Sequence, residues 1–151
     1  MLPFDERLLM WLPHRPPMLL LGEVLAVSAG SAISRIEISE DSSFYVPALK
    51  GVPSSVGLEY MGQTAALCHG WEVDQGLADP TLGIFLGSRK FIAKTDRFSL
   101  GSLLRVEAGG ANYVGSHLVN FSCSIFCDKT DDEMATGTLT VLLQALEKEA
   151  Q

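Results

Sequence analysis

SFYVPALKGVPSSVGLEYMGQTAAL, residues 43–67, is the stretch on which the fold of this chain turns. Within and just beyond it, from Ser54 to Trp71, lies the only long helical period in the sequence. Leu58, Met61, Ala65 and Leu67 supply bulk at helical spacing, while Gly57, Gly62 and Ala66 keep the flanks narrow enough for strands to approach closely. Ser54 or Ser55 is placed to cap the helix, and Gly70 to stand near its end. One carboxylate, Glu59, sits in this apolar, small-residue company. A carboxylate without a partner in low dielectric is costly or is driven toward its protonated form, so Glu59 calls for a use or a partner.

Outward from the helix, the pattern changes on both sides. Phe4–Leu12 reads as a short amphipathic helix, stopped by the prolines of LPHRPP. Met18–Val27 and Ser31–Ile38 read as two strands of a hairpin around a Ser-Ala-Gly turn. After the helix, β character returns in Leu82–Lys94, Leu103–Asn112, His117–Asp128 and Glu133–Gln144, with turns at Asp96–Ser102, Ala111–Ser116 and Lys129–Asp132. Hairpin, one long helix, then a run of antiparallel strands predicts the α+β class, one helix packed on a single sheet, in one domain over residues 1–151.

Composition limits the function. Of 151 residues, 47% are hydrophobic and only 19% charged, with a positive mean hydropathy, which points to self-association through a buried face. The net charge of −7 and the lack of basic runs argue against nucleic acid as a partner. Cys68, Cys123 and Cys127 are odd in number and show no paired metal spacing, so neither a disulfide framework nor a metal site is expected, and nothing calls for a cofactor. Apolar runs near the N-terminus, such as Met18–Leu21, are too short for a signal peptide or a membrane span. A reducing, cytoplasmic setting is the expectation.

LPHRPPMLLL, VGLEYMGQTAAL, TDRFSLGSLLRVEA and MATGTLTVLLQ resemble, in that order, the FabZ/FabA 3-hydroxyacyl-acyl-carrier-protein dehydratases of the hot-dog fold. Through LPHRPPMLLL, VPSSVGLEYMGQTAA, HGW and LGSR the chain is most similar to the ApeP-like branch associated with aryl-polyene biosynthesis. The resemblance implies an antiparallel sheet wrapped around the long helix, edge-to-edge dimerisation and an acyl tunnel at the subunit interface. It matches Glu59 to the family's helix carboxylate, which protonates the departing hydroxyl, and Gln63 to the glutamine one turn later that orients it. It also points the helix N-terminus, Ser54, Ser55 and Val56, at the thioester carbonyl.

One departure is plain. Where the family carries a Gly-His-Phe-Pro loop with its catalytic histidine, this chain reads FYVPALKGVP, which places Tyr45 near the missing base. Three histidines are left. His14, in LPHRPP, either meets Glu59 as the relocated base or holds backbone at the start of the first strand. His69 stands near the helix C-terminus, where the dipole favours a cation, and His117 falls in a strand. Tyr45, too weak a base at neutral pH, is assigned to lining the substrate site.

The partner implied by the resemblance is an acyl carrier protein bearing a 3-hydroxyacyl group. Carrier proteins are acidic, so Arg15, Lys50, Arg89 and Lys90 are the candidates for a local docking patch; Lys94 and Arg97 are equally well read as solvated charges. The assembly is a homo-oligomer or a heterodimer with a related hot-dog subunit. Three functions stay open: a dehydratase using Glu59 with His14, an acyl-thioester hydrolase using Glu59 alone, and a non-catalytic acyl-binding subunit of a heteromeric dehydratase. Dehydratase ranks first because an acid and a base are both available.

Overall fold

In the structure, a computed structural model that describes residues 3–145, the chain forms α1 (Arg7–Trp11), β1 (Glu23–Ser28), β2 (Ser31–Glu37), β3 (Gly51–Pro53), α2 (Gly57–Asp74), β4 (Thr81–Ala93), β5 (Arg97–Ser99), β6 (Leu103–Val114), β7 (Leu118–Cys127) and β8 (Glu133–Ala145). Six strands make one antiparallel sheet in the order β1-β2-β6-β7-β8-β4, and β3 pairs with β5 beside it. Strand alternation decides which side is covered. Ala32, Ser34 and Ile36 of β2, Leu104, Val106 and Ala108 of β6, and Val119, Phe121, Cys123 and Ile125 of β7 all turn inward. They form one core with Tyr60, Met61, Ala65, Leu67 and Cys68 of α2. Each large apolar side chain removed from water there contributes about 1.5–3 kcal/mol. The polar pair in this interface is satisfied: the Thr64 hydroxyl donates to the Tyr60 carbonyl (2.8 Å) and lies 2.7 Å from the Ser34 hydroxyl.

The α+β, hot-dog architecture is therefore the one expected, but several boundaries differ for physical reasons. α1 is shorter than Phe4–Leu12, because Asp5 is engaged elsewhere: its carboxylate accepts from the Arg7 guanidinium (2.7 and 2.9 Å) and from the Val24 N–H (2.9 Å), tying α1 to β1. β1 begins at Glu23 and not Met18, since the backbone of Met18 and Leu20 is taken by a side chain of α2. Neither Ser54 nor Ser55 caps a helix with its side chain. They form a single 3-10 turn, Ser54–Val56, and the Ser54 N–H donates to the Asp96 carbonyl (3.1 Å).

Gly70 does not end α2, which continues to Asp74. It is glycine because α1 crosses there: a Cβ at Gly70 would stand 1.9 Å from the Trp11 carbonyl oxygen. The supposed turn Asp96–Ser102 contains β5, whose partner β3 is only three residues long. The turn expected from Ala111 starts later, because an irregularity between Gly109 and Asn112 is absorbed within β6. The remaining strands lie within a residue or two of their expected limits.

β4 closes one side of the sheet as a 13-residue edge strand, with Phe85, Leu86 and Ile92 exposed on it. A long edge strand with exposed apolar side chains is a surface on which another chain can pair. No described helix is long and apolar enough to cross a membrane.

The α1–α2 crossing gives a direct test. Gly70→Ala forces Trp11 away and is expected to cost at least about 1–3 kcal/mol in urea denaturation; an unchanged midpoint would show that the two helices do not touch at this point.

Candidate active site

Between α1 and β1 the chain runs Leu12-Pro13-His14-Arg15-Pro16-Pro17-Met18. Prolines deny this connector most of a backbone ladder, so side chains hold it. The Arg15 guanidinium folds back to donate to the carbonyls of Leu12 (2.9 Å), His14 (2.8 Å) and Leu9 (3.2 Å), finishing the C-terminal end of α1. Gln63 of α2, only 1% exposed, fixes the other end. Its amide oxygen accepts from the Leu20 N–H (2.9 Å), and its amide nitrogen donates to the Met18 carbonyl (2.7 Å) and to Glu59 Oε1 (3.2 Å).

Clamped at both ends, the connector lays His14 over the first turn of α2. His14 Nε2 stands 3.9 Å from Glu59 Oε1, the oxygen that also accepts from Gln63. That separation is an ion-pair contact and too long for a hydrogen bond, so the two facing atoms stay open to a third group placed between them. His14 Nδ1 is buried with no hydrogen-bond partner among the described residues, and Nε2 is the ring nitrogen that faces Glu59. Burial pushes the His14 imidazole below its ordinary pKa, against a smaller opposing pull from the Glu59 carboxylate. Glu59 is less enclosed than its apolar neighbours suggested: its side chain is 45% exposed in the single chain, against 29% for His14.

Both residues border a cavity of about 530 Å³ whose wall includes Leu9, Trp11, Ala66, Phe121 and Val141. One face of α2 supplies its floor, with Glu59, Gly62, Ala66, His69 and Val73 recurring at three- and four-residue steps. Ten residues on from Glu59, about 15 Å along the helix axis, the cavity is polar again. There His69 Nε2 and Thr81 Oγ1 lie 2.6 Å apart, with Glu72 and Tyr113 also on the wall. Burial lowers the His69 pKa, and Glu72 opposes that shift.

The other sequence-predicted positions are not gathered here. Tyr45 packs against the core and does not border the cavity. Ser54, Ser55 and Val56 form the turn at the helix start, outside the cavity wall. Lys50 occupies a left-handed turn before β3 (φ 50°), and Arg89 and Lys90 are exposed on β4. Lys94 pairs with Glu133 (3.1 Å) and Arg97 with Asp96 (3.9 Å), while His117 is exposed before β7. Among the described residues no three His, Cys, Asp or Glu side chains converge to hold a metal. Sequence reasoning missed the distal group of Thr81, Glu72 and Tyr113. The helical face shared by Glu59 and His69 was a signal for one side of it; the approach of β4 and β6 was not visible.

Two outcomes follow from this geometry. Gln63→Leu orphans the part-buried Met18 carbonyl and Leu20 N–H, so a loss of about 1–3 kcal/mol for the two together is expected in chemical denaturation; a loss near zero would mean that the clamp does not hold the connector. For His14 and His69, folded-state pKa values lie below the ordinary ones. Their contribution to stability is complete above about pH 6.5 and is lost as the pH falls through the depressed values, since the unfolded chain takes up protons first. The melting temperature should therefore drop on acidification below about pH 6.5, with a shallower drop in His69→Gln; parallel curves for the two proteins would contradict it.

Comparison with known proteins shows the family and the fold. Residues 7–151 match the family profile described as ApeP-like, the ApeP dehydratases. Among solved structures, the dehydratase heterocomplex ApeI:P from Xenorhabdus doucetiae is similar at 27% identity, covering 93% of this chain and 91% of that one, with a TM-score of 0.80. Cj0977, a sigma28-regulated virulence protein from Campylobacter jejuni, is similar at 12% identity (94% and 90% covered, TM-score 0.70). A hypothetical thioesterase with coenzyme A from Streptococcus pneumoniae is similar at 13% identity (83% and 88% covered, TM-score 0.62). At that identity the last two show the fold alone. Among curated proteins none matches the chain. With the profile spanning all but the first six residues and the fold in agreement, the chain belongs to the ApeP-like dehydratase family.

Proposed function

We propose that this chain is a subunit of a dehydratase that removes water from a 3-hydroxyacyl thioester on an acyl carrier protein, in fatty-acid or aryl-polyene-type synthesis, and that His14 and Glu59 do the chemistry. The observation that carries the reading is the Gln63 clamp, which orients Glu59 and at the same time delivers His14 to within 3.9 Å of it on the wall of an apolar cavity.

In this mechanism the neutral His14 imidazole takes a proton from C2 at Nε2. The C2–H electron pair forms the C2–C3 double bond, and the C3 hydroxyl leaves as water with a proton from the Glu59 carboxyl group. Burial suits His14 to the first task by keeping it neutral near pH 7. The site needs cover, because the Glu59 side chain is open to water in the single chain. Cover comes from the acyl thioester and from a second subunit. Ser55 and Val56, one turn before Glu59, are assigned to the thioester carbonyl; Ser54 is left out because its N–H is already given to Asp96.

The second subunit is a related hot-dog chain paired along β4. The similar ApeI:P assembly is a heterocomplex, and the apolar edge of β4 is suited to such a partner. Arg15 lies on the cavity wall with its guanidinium turned to backbone carbonyls. Lys50, Arg89 and Lys90 are exposed, and they are the cations assigned to an acidic carrier protein.

Mass spectrometry of a 3-hydroxyacyl carrier protein incubated with the assembled complex tests the reading. The wild type is expected to remove one water, with Glu59→Gln and His14→Ala each slower by about 10²–10⁴-fold. Full turnover in both variants would place the chemistry in the partner and make this chain the acyl-binding half. Release of free carrier thiol in place of water would make it a hydrolase.

A further inference from the structure

α2 carries three glycines, and the packing explains only two. A Cβ at Gly57 would stand 3.0 Å from Ile125 Cδ1 and 3.2 Å from Phe98 Cζ, and one at Gly70 would strike the Trp11 backbone. At both positions a neighbour needs the space. Gly62 is different: apart from its chain neighbours and the adjacent backbone of its own helix, a Cβ there meets no described atom within 4 Å, and its backbone is ordinary right-handed helix. Glycine in a helix interior is less stable than alanine, so the chain's own packing gives no reason for it.

The position of Gly62 supplies one. It borders the cavity on the same face as Glu59, one turn further on and about 4.5 Å along the axis. Ala66 follows on that face, and then His69. We infer that the missing side chain at Gly62 makes room for substrate, and that Gly62 determines specificity by letting the acyl chain beyond C3 lie flat on α2. This inference rests on the proposed acyl-thioester site and adds to it the class of acyl group: chains well beyond four carbons, running along the helix toward His69. A side chain at position 62 would stand across that path just past the reacting carbons, so short acyl groups would avoid it and long ones would not.

Gly62→Ala and Gly62→Leu test this in the complex with the partner subunit. Gly62→Ala is expected to melt at or above the wild-type temperature. For Gly62→Leu, the ratio of kcat/KM for a 3-hydroxydecanoyl over a 3-hydroxybutyryl thioester should fall at least about 10-fold. Calorimetry with butanoyl- and decanoyl-pantetheine, which lack the hydroxyl and cannot be dehydrated, reads the same preference without turnover. Wild type should favour decanoyl, and Gly62→Leu should lose that preference. If the wild type removes no water yet this preference collapses, the dehydratase reading fails and the role of Gly62 stands. Unchanged chain-length preference in Gly62→Leu, a lowered melting temperature in Gly62→Ala, or failure of Gly62→Leu to assemble with its partner would each overturn the inference, the last because the space would then belong to the partner.

Discussion

The arrangement of the site depends on one buried amide. Gln63 lies in the core of the chain, where each polar atom left unpaired is costly, and its hydrogen bonds go to Leu20, Met18 and Glu59. The same bonds satisfy backbone groups that β1 would otherwise have claimed by starting earlier. The connector is therefore held off the sheet and over the helix. His14 comes to Glu59 because a core amide and a proline-rich segment satisfy each other, and the geometry of the proposed acid–base pair follows from that requirement.

α2 divides its surface between two uses. Tyr60, Met61, Thr64, Leu67 and Cys68 are packed against the sheet, where bulk is needed and water is excluded. Glu59, Gly62, Ala66 and His69 face the cavity, where small residues leave space and the charged or polar ones stand at intervals. Helical periodicity alone keeps these faces apart. The helix is a straight wall of the cavity, with the His14–Glu59 pair at one end and the His69–Thr81 pair further along.

Much of this was legible in the sequence, and the limits of what was legible are physical. The long helix, the hairpin and the four later strands announce themselves because each buries one face over enough residues to establish a period. β3 and β5, three residues each, are too short for any period to show. Gly70 read as a mark of the nearby helix end because a glycine required by a crossing helix looks the same in sequence as one at a helix end. Glu59 and Gln63 were readable together, being one turn apart. The approach of His14 depends on tertiary bonds to Gln63 that no local pattern encodes, and the distal contact of His69 with Thr81 depends on where β4 begins.

His14 and Glu59 are neighbours only if the connector is clamped, and titration of the His14 imidazole by NMR reads that adjacency without reference to substrate. A carboxylate at 3.9 Å favours the imidazolium form. Removing its charge in Glu59→Gln is therefore expected to lower the His14 pKa relative to wild type. Superimposable titration curves for the two proteins would show that the carboxylate does not face the imidazole, and would contradict the acid–base pair on which this account of the site is built.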